Sequence, residues 1–282
     1  MAPQRTLVRP CTLEGVGLHQ GLPVHCQLQP ACPGQGYVFV RTDLNPPVEI
    51  AARLDNLTVS SLSTQLQCGD VCIQTVEHCL AALSGLGIDN CIIAVDGPEL
   101  PILDGSARPY VLALLENGVQ EQDQPRVVAR LDQPLTVWEG EAFVAAVPSP
   151  EARFSYAIDF VDSPIGQQWY SWVWSETSFR QDIAPARTFT RLQDVERARQ
   201  HGLIKGGSLE NAIVCTESDW LTPLRFENEP VRHKLLDLLG DLSLLGFQVR
   251  AHILAHKAGH ALHHRFSQSL MQSQFLCRSD LS

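Results

Sequence analysis

Val231-Arg232-His233-Lys234-Leu235-Leu236-Asp237-Leu238-Leu239-Gly240-Asp241-Leu242 sets apolar residues at 231, 235, 238, 239 and 242, the spacing of a buried helix face. Pro230 falls where a first-turn proline is tolerated, and Asn228 and Glu229 suit the helix start. His233 and Asp237 stand four apart, so on a helix their side chains lie one above the other, roughly 5–6 Å apart at Cβ. An imidazole and a carboxylate so spaced can grip a divalent metal from one side. On an open surface the same pair would be an ordinary hydrogen-bonded couple. Lys234 and Asp241 add two more charges to turns that are otherwise leucine. A third ligand and a base elsewhere in the chain would decide between these readings.

Thr75-Val76-Glu77-His78-Cys79-Leu80-Ala81-Ala82-Leu83-Ser84-Gly85-Leu86-Gly87 supplies both. Thr75 is placed to cap a helix, Val76, Leu80 and Leu83 form its apolar face, and Gly85 or Gly87 ends it. Glu77 and His78 sit in the first turn, a base next to a ligand. Their order differs from the His-Glu-x-x-His of zinc proteases. His78, His233 and Asp237 make two histidines and one carboxylate, a catalytic rather than structural zinc set with one position open for water. Glu77 could take that water's proton, and His260, after Gly259 at the head of the last helix, is a second acid–base group. Asp241, one turn past Asp237, could orient a histidine or steady its charged form. No spacing rule brings His78 to His233.

The rest of the chain alternates short strands with late helices. Strands are expected near 6–8, 24–28, 37–40, 48–50, 56–59, 91–95, 127–131, 135–137, 142–147, 154–160 and 249–256, and 206–214 reads as a glycine turn into a strand. Helices are expected at 109–117, 192–201 and from 260 onward. The polar run 120–124 closing at Pro125 marks a boundary between domains 1–124 and 125–282. The turn Gly15-Val16-Gly17-Leu18-His19-Gln20-Gly21 lacks the Gly-Lys-Ser/Thr ending of a phosphate loop; His19 there is either a ligand-facing group or a hydrogen-bonded turn histidine. The tract 60–72 carries no interpretable pattern.

The chain has 282 residues, 44% of them hydrophobic, and a formal charge of −10. Acidity without basic runs argues against nucleic acid as a partner. No apolar run reaches the roughly 20 residues of a membrane span, and the N-terminus lacks a signal-like apolar stretch, so a cytoplasmic location is expected. The nine scattered cysteines read as free, mostly buried thiols. Cys68, Cys72 and Cys79 are too loosely spaced for a convincing structural zinc site.

Taken together and in order, Thr75-Val76-Glu77-His78, His233-Lys234-Leu235-Leu236-Asp237 with Gly240-Asp241-Leu242, and Gly259-His260-Ala261-Leu262 resemble the UDP-3-O-acyl-N-acetylglucosamine deacetylase family, the zinc amidases of lipid A synthesis. Gly17-Leu18-His19, Arg41-Thr42-Asp43, Leu103-Asp104-Gly105-Ser106, Ala186-Arg187-Thr188-Phe189 and Gly206-Gly207-Ser208 are similar to it too. The resemblance spans about residues 5–272. It implies an α+β fold of two similar domains, each a mixed β-sheet with two helices, the helices packed together between the sheets.

The resemblance also implies roles. His78, His233 and Asp237 would hold Zn2+, with Glu77 as general base, His260 as acid on the leaving amine and Asp241 as its partner. Thr188 would donate to the oxyanion, and Lys234 would meet the phosphate or sugar side of a UDP-linked acylated amino sugar. Phe160 would stack on uracil with Asp159 beside it, and Phe189 would pack near the hexose. Leu18, His19 and Leu203 would also contact substrate. An insert over about 191–214 would form an apolar passage for the acyl chain, with Leu192, Val195, Leu203 and Ile204 as lining or as plain core. Pro230 replaces the family's usual phenylalanine, and His263 its usual asparagine. A monomer is expected. A metal amidase or esterase acting on another substrate, and a non-catalytic binding domain of the same fold, are the competing readings.

Overall fold

The computed structural model describes residues 2–58, 60 and 62–278. Its helices are α1 (Glu77–Gly85), α2 (Arg108–Asn117), the single turn α3 (Glu176–Ser178), α4 (Leu192–Gln200), α5 (Glu229–Leu242) and α6 (His260–Gln272). α5 begins at the expected place, with Pro230 in its first turn and Asn228 before it. A one-faced reading of α5 is too narrow. Of its 14 residues only Arg232 and Lys234 escape burial, because α1 and α6 pack on it along with the strands Arg153–Phe160 and Gly166–Val173. A helix covered all round needs apolar residues all round. Each of its buried leucines contributes about 1.5–3 kcal/mol relative to exposure, which offsets the cost of holding His233, Asp237 and Asp241 away from water.

Two mixed sheets flank these helices. Residues of the first half form a five-stranded sheet in the spatial order Cys11–Val16, Pro23–Pro30, Cys91–Val95, Tyr37–Arg41, Val48–Ala51. Only the Tyr37–Arg41 and Cys91–Val95 pair runs parallel. In the second half Gln248–His256 is the central strand. It pairs antiparallel with Ala142–Pro148 and parallel with both Arg153–Phe160 and Val128–Leu131. Its burial alternates strictly, as expected of a strand with one face on the core. The arrangement is α+β, with α1 and α5 in contact between sheets drawn from the two halves.

Among the strands not legible in the sequence are Gln65–Cys68 and Val71–Gln74, which pair antiparallel with each other. Val119–Pro125, read as a polar boundary segment, pairs antiparallel with Pro3–Leu7. It is exposed over most of its length, so it shows no alternation of apolar residues. Cys11–Val16, Gly166–Val173 and Leu276–Arg278 are likewise strands. Of the strand expected at 56–59, Leu57–Thr58 is present and Val59 lies outside the described residues. The strand expected after the glycine turn is Ile213–Cys215, paired parallel with Phe189–Arg191.

α1 and α5 touch at Gly240, where an added Cβ would run into the Glu77 carbonyl oxygen. Hydrogen at Cα lets the two backbones approach and brings the first turn of α1 against the middle of α5. Gly240→Ala is expected to cost about 1–3 kcal/mol by overpacking and to loosen metal retention. Thermal melting and metal content check this, and an unchanged melting temperature would mean that the helices have slack.

Candidate active site

His78 from α1 and His233 and Asp237 from α5 meet. His233 Nε2 lies 3.2 Å and His78 Nε2 3.8 Å from Asp237 Oδ1, and the imidazoles stand nearly perpendicular, their centroids 5.0 Å apart. All three residues are buried. His233 donates its Nδ1–H to the Ala186 carbonyl at 3.0 Å, which leaves Nε2 bare and turned toward Asp237. Burial pushes His78 down to about 3 and lowers His233, so both rings are neutral. Burial works against an ionised Asp237, but His233, Lys234 and His260 outweigh it and hold the carboxyl well below the usual range. Lys234 donates to Asp237 Oδ2 at 2.7 Å, leaving Oδ1 to face the histidines. The three ligand atoms lie within 4.8 Å of one another. Two neutral imidazole nitrogens and one carboxylate oxygen fit a divalent metal ion.

Beside this set stand a base and an acid. Glu77 is buried, its Oε2 accepting the Thr64 N–H at 3.0 Å. Burial, with Asp237 and Asp241 adding to it and His260 opposing, pushes Glu77 up to about 7. His260 Nε2 lies 3.9 Å from both Glu77 Oε1 and Asp237 Oδ2. Its Nδ1–H donates to Asp241 Oδ2 at 2.7 Å. Burial disfavours the charged ring, but Asp241 carries His260 up to about 9. Near neutral pH Glu77 is therefore close to its midpoint and His260 holds its proton, the pairing that acid–base chemistry needs. Asp241, His260 and His263 also come close enough to hold a metal, but both rings spend their Nδ1–H on Asp241.

These groups face a cavity of about 690 Å3 whose lining includes Glu77, His78, Thr188, His233, Asp237 and His260. Phe160, Phe189, Lys234, Leu18 and Leu203 line it as well. Phe160 meets Phe189 edge-on at 5.7 Å. Thr188 and Phe189 are held by their neighbour Arg187, which forms a two-pronged pair with the fully buried Glu229 at the head of α5. A second cavity of about 460 Å3 shares Leu18, Thr188 and Phe189 with the first and is lined by Leu192, Val195 and Ile204. His19 borders it, buried, with no hydrogen-bond partner for either ring nitrogen among the described residues. The His19 backbone is held on both sides: its N–H donates to Glu99 at 2.8 Å and its carbonyl accepts from the Lys205 N–H at 3.2 Å. Asp159 pairs with Lys257 at 2.9 Å and is not among the cavity-lining residues.

Residues 4–272 match the family model of LpxC, UDP-3-O-acyl N-acetylglycosamine deacetylase. The chain belongs to this family. It is 49% identical over 274 residues to the UDP-3-O-acyl-N-acetylglucosamine deacetylase of a Nostoc species, covering 95% of this chain and 98% of the relative. It is 48% identical to the enzyme of the same name from Thermosynechococcus vestitus (96% and 95% covered) and 45% identical to that of Myxococcus xanthus (95% and 86%).

Two residues of this LpxC-family site escaped the sequence reading. Thr64, in the uninterpreted tract, gives its N–H to Glu77 and its hydroxyl to Asp241 Oδ1, joining the base to the acid's partner. Glu99 accepts from the His19 and Gln20 N–H groups and from the Thr75 hydroxyl. Thr75 is thus not the expected cap. Its backbone is left-handed at φ 59°, uncommon for a β-branched residue, and Glu99 holds it there just ahead of Glu77 and His78. A lone threonine and a lone glutamate carry no periodicity by which sequence could have singled them out. All nine cysteines are free, and no cysteine joins a metal-ligand group among the described residues. No helix among them is long and apolar enough to cross a membrane.

Proposed function

We propose that this chain is a zinc-dependent hydrolase that removes the N-acetyl group of UDP-3-O-acyl-N-acetylglucosamine, giving UDP-3-O-acyl-glucosamine and acetate, in lipid A synthesis. The observation that carries the reading is the convergence of His78, His233 and Asp237 with Glu77 and His260 on one cavity, in a chain of the LpxC family. Zinc held by those three ligands would supply a Lewis acid that lowers the pKa of water and polarises the amide carbonyl.

The chain's own groups do the rest. Glu77 takes a proton from the attacking water. Thr188 donates its hydroxyl to the carbonyl oxygen as that oxygen gains charge. His260 passes its Nε2 proton to the leaving nitrogen, so that a C–O bond forms, the C–N bond breaks and a neutral amine departs. Asp241, accepting from Nδ1–H, keeps His260 charged until then. Phe160 and Asp159 are assigned to the uracil end, Phe189 to the hexose and Lys234 to the phosphate or sugar side. Leu18, His19 and Leu203 lead toward the 460 Å3 cavity, which suits an acyl chain. The chain would work as a cytoplasmic monomer of two units, 1–124 and 125–282, with the metal where they meet.

The test is acetate release by zinc-loaded protein from the acylated nucleotide, with the nucleotide lacking its acyl chain as comparison. Release that depends on the acyl chain is expected, and none from a fully metallated protein would end the reading. The pH profile is expected to be bell-shaped. Activity rises as Glu77 ionises, at or below about 7, and falls as His260 loses its proton, at or below about 9, since a nearby cation lowers both. A profile flat from pH 5 to 10 would contradict these roles.

A further inference from the structure

Asp241 is fully buried and each of its oxygens is doubly engaged. Oδ2 accepts from His260 Nδ1–H at 2.7 Å and from His263 Nδ1–H at 2.7 Å. Oδ1 accepts the Thr64 hydroxyl and lies 3.3 Å from His264 Nε2. An ionised carboxylate has about four acceptor positions, and here all four are faced. Burial would raise this carboxyl, but His260 and His264 beside it and the bonds from His260 and His263 hold it well below its ordinary range.

His263 is 0% exposed and is not among the residues lining either cavity, so it cannot touch substrate there. Burial pushes it down to about 4, toward the neutral ring. A neutral ring has one N–H, and Asp241 claims it at Nδ1. Nε2 lies 2.9 Å from the Tyr156 hydroxyl. That hydroxyl donates its hydrogen to the carbonyl of Ala258, two residues before His260, at 2.7 Å. The Tyr156 ring meets His263 edge-on at 5.8 Å. Tyr156 thus braces His263 from behind and the chain leading into His260 from the side.

We propose that His263, braced by Tyr156, is a positioning residue for the proton donor His260. It occupies the second acceptor position of the oxygen that orients His260, so the carboxylate cannot turn about its Cβ–Cγ bond, and His260 Nε2 stays aimed at the space between Glu77 and Asp237. The proposal rests on the reading of His260 as the acid. Its signature is a loss in turnover without a loss in binding, since misaiming a reacting group costs rate while the substrate contacts remain.

The test uses two amide variants of similar polarity. An asparagine amide nitrogen reaches about where histidine Nδ1 sits, and a glutamine amide nitrogen about where Nε2 sits. In zinc-loaded enzyme, H263N is expected to keep kcat within about threefold of wild type. H263Q, directed toward Tyr156 instead of Asp241, is expected to lose about 10- to 100-fold in kcat with KM within twofold, with metal content unchanged in both. Equal kcat for H263Q and wild type, or a loss confined to KM, would overturn the proposal. Nitrogen NMR of histidine-labelled wild-type holoenzyme gives an answer that does not depend on how a variant folds. Nδ1 of His263 should carry a proton, and a bare Nδ1 overturns the proposal. Absence of any acetate release from wild type would instead sink the deacetylase reading, and the tautomer would still decide whether His263 donates to Asp241.

Discussion

Glu77→Ala is expected to lower kcat by about 100- to 10,000-fold, the range that general-base removal spans, while the protein keeps its metal. Glu77 contributes no atom to the group formed by His78, His233 and Asp237. Its carboxylate is occupied by Thr64 N–H on one oxygen and faces His260 at 3.9 Å with the other. Alanine also leaves a buried backbone N–H unpaired, at a cost of about 1–3 kcal/mol in stability. Glu77→Gln separates the two effects, because the amide oxygen still accepts from Thr64 but the group cannot take a proton. Steady-state kinetics with metal analysis on both variants checks this. Undiminished turnover in either would remove Glu77 from the chemistry.

His233→Ala is expected to do more, losing the metal together with the activity. The ring is one of two neutral nitrogen donors, and its orientation is fixed by the Ala186 carbonyl at 3.0 Å. Loss of an outer partner of a metal ligand typically costs 10- to 100-fold in affinity, so loss of the ligand itself should exceed about 100-fold. His78→Ala should behave alike, although it lies on the other helix. Cys79→Ala, a buried thiol next to His78 in sequence, should keep full metal and serves as the control. Competitive titration against a chelator measures all four proteins. Metal retained by His233→Ala and lost by Cys79→Ala would reverse the assignment.

How much of this was legible follows from what kind of signal each part leaves. α1, α5 and α6 announce themselves by helical spacing, and His233 and Asp237 by their four-residue separation. Near either helix start, Glu77 and His260 stand out as ionisable groups beside glycine or apolar residues. What brings His78 to His233 leaves no such trace. It is a backbone approach at Gly240, and a glycine in a leucine-rich helix looks the same whether or not another helix passes close by. Thr64 and Glu99 act through single hydrogen bonds across long sequence separations, which local periodicity does not encode. The strand Val119–Pro125 left no strand pattern in the sequence because it is solvated on most of its length, and a solvated ribbon has no need of apolar alternation. The ordered series of short motifs placed the chain in its family, where any one of them alone was weak.

The central claim is that two imidazoles and one carboxylate, from two helices far apart in the sequence, share a single cation. X-ray absorption at the zinc edge of the loaded protein tests it most directly. The expected spectrum has only nitrogen and oxygen neighbours at about 2.0–2.2 Å, with the outer-shell pattern of two imidazoles. With nine free cysteines in the chain, the contradicting result is equally plain: sulfur at about 2.3 Å would place the metal on thiolates and away from His78, His233 and Asp237.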